Sequence, residues 1–112
     1  MRYLGSKRRI AKKIINYIQA EREEGMCWVE PFMGSGSIIS TVQGNRIGSD
    51  INDYLISMFK ALQNGWQPPS IVTEDEYNHI KNNKSSYPKH LVSFVGFGCS
   101  YGGLWFSSYA KN

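Results

Sequence analysis

The apolar residues of the N-terminal region recur at the spacing of one helix face: Ile10, Ile14, Ile15 and Ile18. Polar side chains fill most positions between them, so the pattern predicts an amphipathic helix over residues 7–22. Ser6 stands where an N-cap is expected, and Gly25 follows the segment as a helix breaker.

A later apolar run over residues 27–29 is too short for a helix and predicts a buried strand, and a second strand is predicted over residues 46–49. Between them we expect a turn over residues 30–36, which contains a proline and two glycines, and a short helix over residues 37–42. This order predicts a two-stranded parallel sheet whose open edge invites pairing with another chain.

The second half of the chain has a helical pattern. A helix capped by Asn52 or Asp53 is predicted from an apolar stripe: Leu55, Ile56, Phe59 and Leu62. Beyond a proline-containing linker over residues 67–70, a capping box, Thr73–Glu76, opens a further helix to about residue 82.

The last third of the chain is rich in glycine and aromatic residues. Pro88 starts a short predicted helix that runs through Val95. Residues 96–112 show no helix or strand period, so we expect an irregular segment whose aromatic side chains pack as a small core or serve as stacking platforms.

Composition places the chain among small soluble domains. Of its 112 residues, 41% are hydrophobic and 20% are charged, which argues against a disordered tail, a collagen-like fibre or a membrane bundle. No apolar run reaches the roughly 18 residues of a spanning helix, and no signal peptide is visible, so we expect a cytoplasmic location. Cys27 and Cys99 form no Cys-x-x-Cys pair, so no metal site is expected.

Positive charge is concentrated at the N-terminus. Residues 1–22 contain seven of the 13 Lys and Arg side chains but a single acid, Glu21, although the whole chain has a net charge of only +4. Such a patch either attracts phosphate or is the solvated face of a helix.

The turn between the predicted strands carries the candidate chemistry. Gly34 and Gly36 let the backbone approach a ligand, and Asp50 ends the second strand, where a carboxylate can bind ribose hydroxyls. The alternative is a tight turn without a ligand. Ile39 stands where a dinucleotide fingerprint has a small residue, and no Gly-Lys-Ser/Thr of a phosphate loop is present. A ligand with a ribose but no pyrophosphate, such as S-adenosylmethionine, fits better.

The chain resembles the Dam-like DNA adenine N6-methyltransferases of the D12 class in three ordered segments: Tyr3–Lys7 (Tyr-x-Gly-Ser-Lys), Val29–Ser37 (with Pro-Phe-x-Gly-x-Gly) and Ser49–Asn52 (with Asp-Ile-Asn). A late stretch, Phe97–Phe106, is similar to a loop of phage members. The resemblance implies an α/β chain with a partial Rossmann-like S-adenosylmethionine-dependent methyltransferase fold over residues 1–66. A mainly helical start of the target-recognition region would follow over residues 67–112.

The resemblance also implies roles for individual residues. Tyr3 and Lys7 would contact the methionine end of the cofactor S-adenosylmethionine, Asp50 its ribose and Ile51 its adenine. The other cofactor-binding candidates lie in the same motifs: Glu30, Pro31, Phe32, Gly34, Ser35, Gly36 and Asn52. Contacts with double-stranded DNA that carries the target adenine are expected from five residues: Arg8, Arg9, Tyr101, Trp105 and Lys111. The alternative for Tyr3 is that it only packs against other residues. The alternative for Lys7 is that it is one more member of the basic patch.

One part of the family's pattern is missing from the sequence. The class uses an Asp/Asn-Pro-Pro-Tyr/Phe motif on the extruded adenine, whereas Pro68 and Pro69 here are flanked by Gln67 and Ser70. We therefore expect no catalytic residue in this chain and an N-terminal methyltransferase portion that is inactive alone. One alternative is a non-catalytic phage or mobile-element module that reuses the methyltransferase scaffold to bind a protein or a nucleic acid. Another is a fragment that binds a different nucleotide.

Overall fold

The computed structural model describes residues 2–111, which form two compact units. The strand unit is Gly5–Ile51, and the helical unit joins residues 2–4 to residues 52–111. The predicted boundary between a cofactor-binding part and a target-recognition part, after residue 66, stays a prediction. The two units are defined by their compactness, which does not assign a function to either. Among the residues described, no helix is long and apolar enough to cross a bilayer.

One helix and two short strands form the strand unit. Helix α1 spans Ala11–Gln19, β1 spans Trp28–Glu30 and β2 spans Arg46–Gly48. The two strands pair in parallel, with Val29 opposite Ile47, which confirms the predicted sheet.

Helix α1 is shorter than the predicted helix over residues 7–22, and Ser6 is not its N-cap. The chain forms turns before Ala11, and the N-cap is Ile10, which offers no side-chain acceptor. Basic residues beside the positive end of a helix dipole disfavour a longer helix at this end. Ser6 Oγ instead accepts a hydrogen bond from the backbone N–H of Arg8 at 3.3 Å, within the preceding turn.

The helix predicted over residues 37–42 is reduced to a single 3-10 turn, Ile39–Thr41. Its hydroxyl residues compete for backbone groups, since Thr41 Oγ1 donates to the carbonyl of Ile38 at 2.8 Å. The guanidinium of Arg46 donates to the carbonyls of Ile39 and Val42, so a side chain from β2 provides hydrogen-bond donors for two carbonyl groups of this turn.

The core of the strand unit is small, with four buried residues: Ala11, Trp28, Ile38 and Val42. The prediction that the first strand is buried is wrong for one face of the sheet, where Val29 is 61% exposed and Ile47, which lies opposite it on β2, is 60% exposed. Successive strand residues point to opposite faces. Trp28 therefore enters the core, while the next residue of β1 faces away from it.

Three α-helices form most of the helical unit: α2 (Asp53–Gln63), α3 (Glu74–Asn82) and α4 (Lys89–Ser93), which continues as a π-helical turn over Phe94–Gly98. The predicted caps are confirmed. The side chain of Asn52 accepts hydrogen bonds from the N–H groups of Tyr54 and Leu55, and both bonds of the capping box between Thr73 and Glu76 are present.

Two buried clusters stabilise the helical unit. One contains five residues from α3, α4 and the last segment: Tyr77, Ile80, Val92, Val95 and Phe106. The other contains Leu55, Met58 and Phe97, and Tyr3 packs its ring edge on Phe97 with ring centroids 5.2 Å apart. A Cβ at Gly103 would collide with the carbonyl of Arg2, so the glycine lets the N-terminal residues pass closely. The expected aromatic core is confirmed for Phe97 and Phe106, although residues 94–98 are more regular than predicted.

Candidate functional site

Three segments of the strand unit meet at the carboxyl ends of β1 and β2. Because parallel strands end at the same edge of a sheet, the loops that follow them are neighbours. The backbone N–H of Ser49 donates to the carbonyl of Glu30 at 2.9 Å, and that of Met33 donates to the carbonyl of Ser49 at 2.9 Å. Residues 5–7, which precede α1, lie at this same edge through Lys7.

Asp50 and the glycine turn are joined directly. The backbone N–H of Gly34 donates to Oδ2 of Asp50 at 3.0 Å. Gly34 has a φ of 54° and Gly36 a φ of 75°, and both values lie in the left-handed region where a side chain is strained. The turn after β1 is therefore held against the end of β2 in a conformation that favours glycine.

Lys7 and Glu30 place opposite charges at the end of β1. The amino group of Lys7 donates to the carbonyl of Phe32 at 2.7 Å and lies 4.0 Å from Oε1 of Glu30. The Glu30 side chain is only 12% exposed, and among residues 2–111 neither of its oxygens has a regular hydrogen-bond partner.

Burial raises the pKa of Glu30, because desolvation disfavours the charged carboxylate. The positive charge of Lys7 opposes this shift, and the nearby indole of Trp28 and backbone of Ile39 lower the pKa further. The net direction stays upward, so Glu30 is a carboxylate whose protein surroundings leave its charge undercompensated.

Three serine hydroxyls from residues 5–7 and from the segment after β1 form a cluster. Ser37 Oγ lies 3.0 Å from the hydroxyls of both Ser6 and Ser35, and Ser35 Oγ donates to Ser6 Oγ at 3.4 Å. Sequence reasoning named Ser35 but missed Ser6 and Ser37 as site residues. The signal was present in the serines that alternate with glycine after Phe32 and in the serine directly before Lys7.

A groove of about 420 Å³ runs between α1 and β1. Its walls are mainly apolar and include Ile14, Ile18 and Trp28, while Lys7 and Glu30 lie at the carboxyl end of β1. Grooves with apolar walls and a few placed polar groups are typical of small-molecule sites. This one suits a ligand with a zwitterionic end and a less polar body.

The structure brings together most, but not all, of the predicted cofactor residues. Lys7, Glu30, Phe32, Gly34–Gly36 and Asp50 share the strand edge, and Pro31 follows β1 there. Ile51 is fully exposed at the end of the strand unit. Tyr3 and Asn52 belong to the helical unit, where the first packs on an aromatic ring and the second caps α2.

The predicted DNA-binding residues are dispersed over both units. Arg8 and Arg9 are exposed in the turn before α1, and Tyr101 is exposed in the helical unit. Trp105 packs against Tyr54, and Lys111 lies 3.7 Å from Glu74. Of the residues described, no group of three His, Cys, Asp or Glu side chains is arranged to hold a metal ion.

Comparison with known families agrees with the motifs that meet at this edge. The family model for D12 class N6 adenine-specific DNA methyltransferases matches residues 3–94, which include all three motif segments and most of both units. Comparisons with curated proteins and with solved structures found no significant match. The family match covers well over half of the sequence, and the chain therefore belongs to the D12 class of N6 adenine-specific DNA methyltransferases.

Proposed function

We propose that the strand unit binds S-adenosylmethionine as the cofactor-binding part of a Dam-like DNA adenine N6-methyltransferase with a partial Rossmann-like fold. The observation that carries this proposal is the ion pair formed by Lys7 and the buried Glu30, whose oxygens have no regular hydrogen-bond partner among residues 2–111. The family match supports the kind of reaction, and the site geometry supports the choice of cofactor.

The methionine end of this cofactor carries an ammonium and a carboxylate on one carbon atom. The Glu30 carboxylate, which accepts no regular hydrogen bond from the described residues, would accept one from the ammonium, whereas Lys7 would bind the carboxylate of the ligand as a point charge. The hydroxyls of Ser6, Ser35 and Ser37 lie close enough to one another to add donors to the same carboxylate. The methionine end of the ligand would thus bind the Glu30 carboxylate, the Lys7 amino group and the serine hydroxyls together.

The other parts of the cofactor fit the rest of the edge. Asp50 at the end of β2 would hold the ribose hydroxyls, as acidic residues at this position do in nucleotide-binding α/β units. Ile51, which is fully exposed, would pack on the adenine ring, and Phe32, which is 78% exposed, would wall the pocket.

When bound, S-adenosylmethionine supplies an electrophilic methyl group, and the residues of this chain bind and orient it. The sequence contains no Asp/Asn-Pro-Pro-Tyr/Phe motif to hold the adenine amino group. We therefore propose that methyl transfer to double-stranded DNA needs residues beyond these 112, and that this chain alone transfers no methyl group.

Calorimetry with S-adenosylmethionine tests the proposal. We expect the chain to bind, and Glu30→Gln and Asp50→Ala each to weaken binding by about 10-fold or more, since hydrogen bonds to charged groups contribute about 1.5–3 kcal/mol. Glu24→Gln is the matched control, because Glu24 is an exposed acid of the same unit. A folded chain that does not bind, or binding that Glu30→Gln and Asp50→Ala leave unchanged, would overturn the proposal.

A second candidate is a non-catalytic module that associates through its sheet. The exposed apolar pair Val29 and Ile47 favours it, since such a face is usually covered in parallel sheets. Sedimentation analysis would then show self-association that Val29→Asp abolishes and Asp50→Ala leaves intact. A monomer at all concentrations would remove self-association from consideration.

A further inference from the structure

The helical unit has a groove of its own, with a volume of about 500 Å³. The floor of this groove belongs to the core of the unit, because Ile80 and Val95 are members of a buried cluster and Leu91 packs against that cluster. On its rim lies Ile71, a residue after the proline-containing linker, which is 78% exposed. The groove is therefore an apolar surface that is open to solvent on one side.

The charged side chains that line this groove are acidic. Asp75 and Glu76 come from the first turn of α3, and no Lys or Arg among residues 2–111 lines the groove. One turn further along α3, the ring nitrogen Nδ1 of His79 shares a hydrogen bond with the hydroxyl of Tyr87. The side chain of Asp75 forms no hydrogen bond or ion pair with the part of the chain described. We call this surface the acidic groove.

Two lysines of the helical unit form ion pairs outside the acidic groove. Lys111 lies 3.7 Å from Glu74, and Lys89 lies 2.7 Å from Asp53. Acids in the first turn of a helix favour its dipole, and Glu74 does so without lining the groove. Asp75 adds negative charge beside an apolar surface, where a partner with both an apolar and a basic side chain can bind.

Helix α1 exposes a surface of complementary character. Ile10, Lys13 and Tyr17 follow one another at intervals of three and four residues from the N-cap onward, so they lie on one face of the helix. Ile10 is 52% and Tyr17 80% exposed, and the Lys13 amino group forms no hydrogen bond or ion pair within residues 2–111. Ala11 and Ile15 belong to the face that packs against the core. We call Ile10, Lys13 and Tyr17 the basic stripe.

We propose that the basic stripe of one copy of this chain docks into the acidic groove of a second copy. Ile10 and Tyr17 cover the apolar floor, and Lys13 pairs with Asp75. Laying a helix into an apolar groove through side chains one turn apart is a common mode of recognition. A second copy is the partner because both complementary surfaces belong to this chain. This contact goes beyond cofactor binding, and it uses neither the exposed sheet face nor the cofactor groove.

Sedimentation velocity of the full chain over a concentration series tests the proposal. Each copy has one stripe and one groove, so the contact forms twice in a closed dimer or repeats along an open chain, and both products sediment faster than a monomer. Asp75→Lys and Lys13→Glu should each weaken association by about 10-fold or more, because like charges then face each other across the contact. An equimolar mixture of these two variants should associate about as strongly as the parent, since each variant meets the opposite charge on the other.

Glu74→Lys is the matched control, because it makes the same charge change in the same turn of α3 but outside the groove. A loss of association equal to that of Asp75→Lys would reduce the effect to net charge and overturn the proposal. A monomer at every concentration would overturn it, and so would a mixture of the two variants that fails to associate. Loss of association in Val29→Asp would assign the contact to the sheet face instead and overturn it as well.

Two measurements separate this contact from misfolding and from the cofactor site. Lys13→Glu places an acid in the first turn of α1, so its melting temperature should not fall, and weaker association of this variant is then not a result of unfolding. Calorimetry with S-adenosylmethionine should give the same affinity for Lys13→Glu as for the parent, because the basic stripe does not line the cofactor groove. Cofactor binding and self-association can therefore each fail without the other.

Discussion

The two units of this chain use their residues in opposite ways. The helical unit has two buried clusters, a complete capping box and a buried hydrogen bond between Tyr77 and Ser100. The strand unit has one small core, three-residue strands and a buried carboxylate that accepts no regular hydrogen bond from the part of the chain described. The comparison indicates that packing stabilises the helical unit. The strand unit instead leaves polar groups without hydrogen bonds and apolar groups exposed, where a ligand can bind them.

The largest expected difference concerns apolar burial. Leu55→Ala should lower the free energy of unfolding by about 2–5 kcal/mol, because Leu55 is fully buried and truncation leaves a cavity. Val29→Ala in the strand unit should change it by only about 0.5 kcal/mol, since Val29 is mostly exposed. Urea denaturation followed by circular dichroism measures both. Equal effects of the two variants would remove the contrast between the units.

Two buried serines of the helical unit sharpen the comparison further. Ser100→Ala should lower the free energy of unfolding by about 1–3 kcal/mol, because it leaves the Tyr77 hydroxyl without its partner at 2.8 Å. Ser93 is equally buried, but its hydroxyl has no partner among the described residues. Ser93→Ala should therefore be neutral or stabilise the protein by up to about 1 kcal/mol. Thermal melting would contradict this account if both substitutions destabilised equally.

A smaller effect is expected at the helix starts. Thr73→Ala should cost about 1 kcal/mol, because it removes the side-chain acceptor from the first turn of α3. Ser6→Ala should cost less, since Ser6 does not cap α1 and its hydroxyl bonds only to the Arg8 amide and to the hydroxyls of two other serines. Hydrogen exchange of the amides in the first turn of each helix resolves the two changes, and a larger loss for Ser6→Ala would contradict the assignment.

The smallest effect, but the one most specific to the strand unit, concerns pH. The pKa of Glu30 is raised in the folded chain, so burial of its charge opposes folding at any pH above that raised pKa. At a pH below the ordinary pKa of glutamate, the side chain is protonated in both the folded and the unfolded chain, and this penalty is absent. The Glu30 contribution to stability therefore declines as pH rises through this window. Glu30→Gln should be slightly more stable than the parent near neutral pH, with the advantage vanishing in acid. Melting curves of the two proteins, compared with Glu24→Gln, would show whether the gap closes.

The features predicted well from the sequence are those set by neighbouring residues. The capping box at Thr73, the cap at Asn52 and the parallel pairing of the two strands each follow from a few residues. The glycine turn after β1 is of the same kind, since its backbone needs positive φ values at Gly34 and Gly36.

The features that sequence reasoning missed depend on distant contacts. Ser6 and Ser37 are separated by 31 positions, and only the fold shows that their hydroxyls meet. The shortening of α1 follows from charge and a missing cap, which the apolar period does not reveal. The exposure of Val29 depends on the sheet having a second face that the small core does not cover.

The contacts of Tyr3 with Phe97, and of Arg2 with Gly103, have a consequence for how the protein is made. As the chain leaves the ribosome, Arg2 and Tyr3 emerge long before the residues with which they pack. The strand unit between them is complete in sequence by residue 51 and can begin to fold while Tyr3 has nothing to contact. Arg2 and Tyr3 can therefore reach their final places only after the last quarter of this sequence has been made, although they precede the whole strand unit.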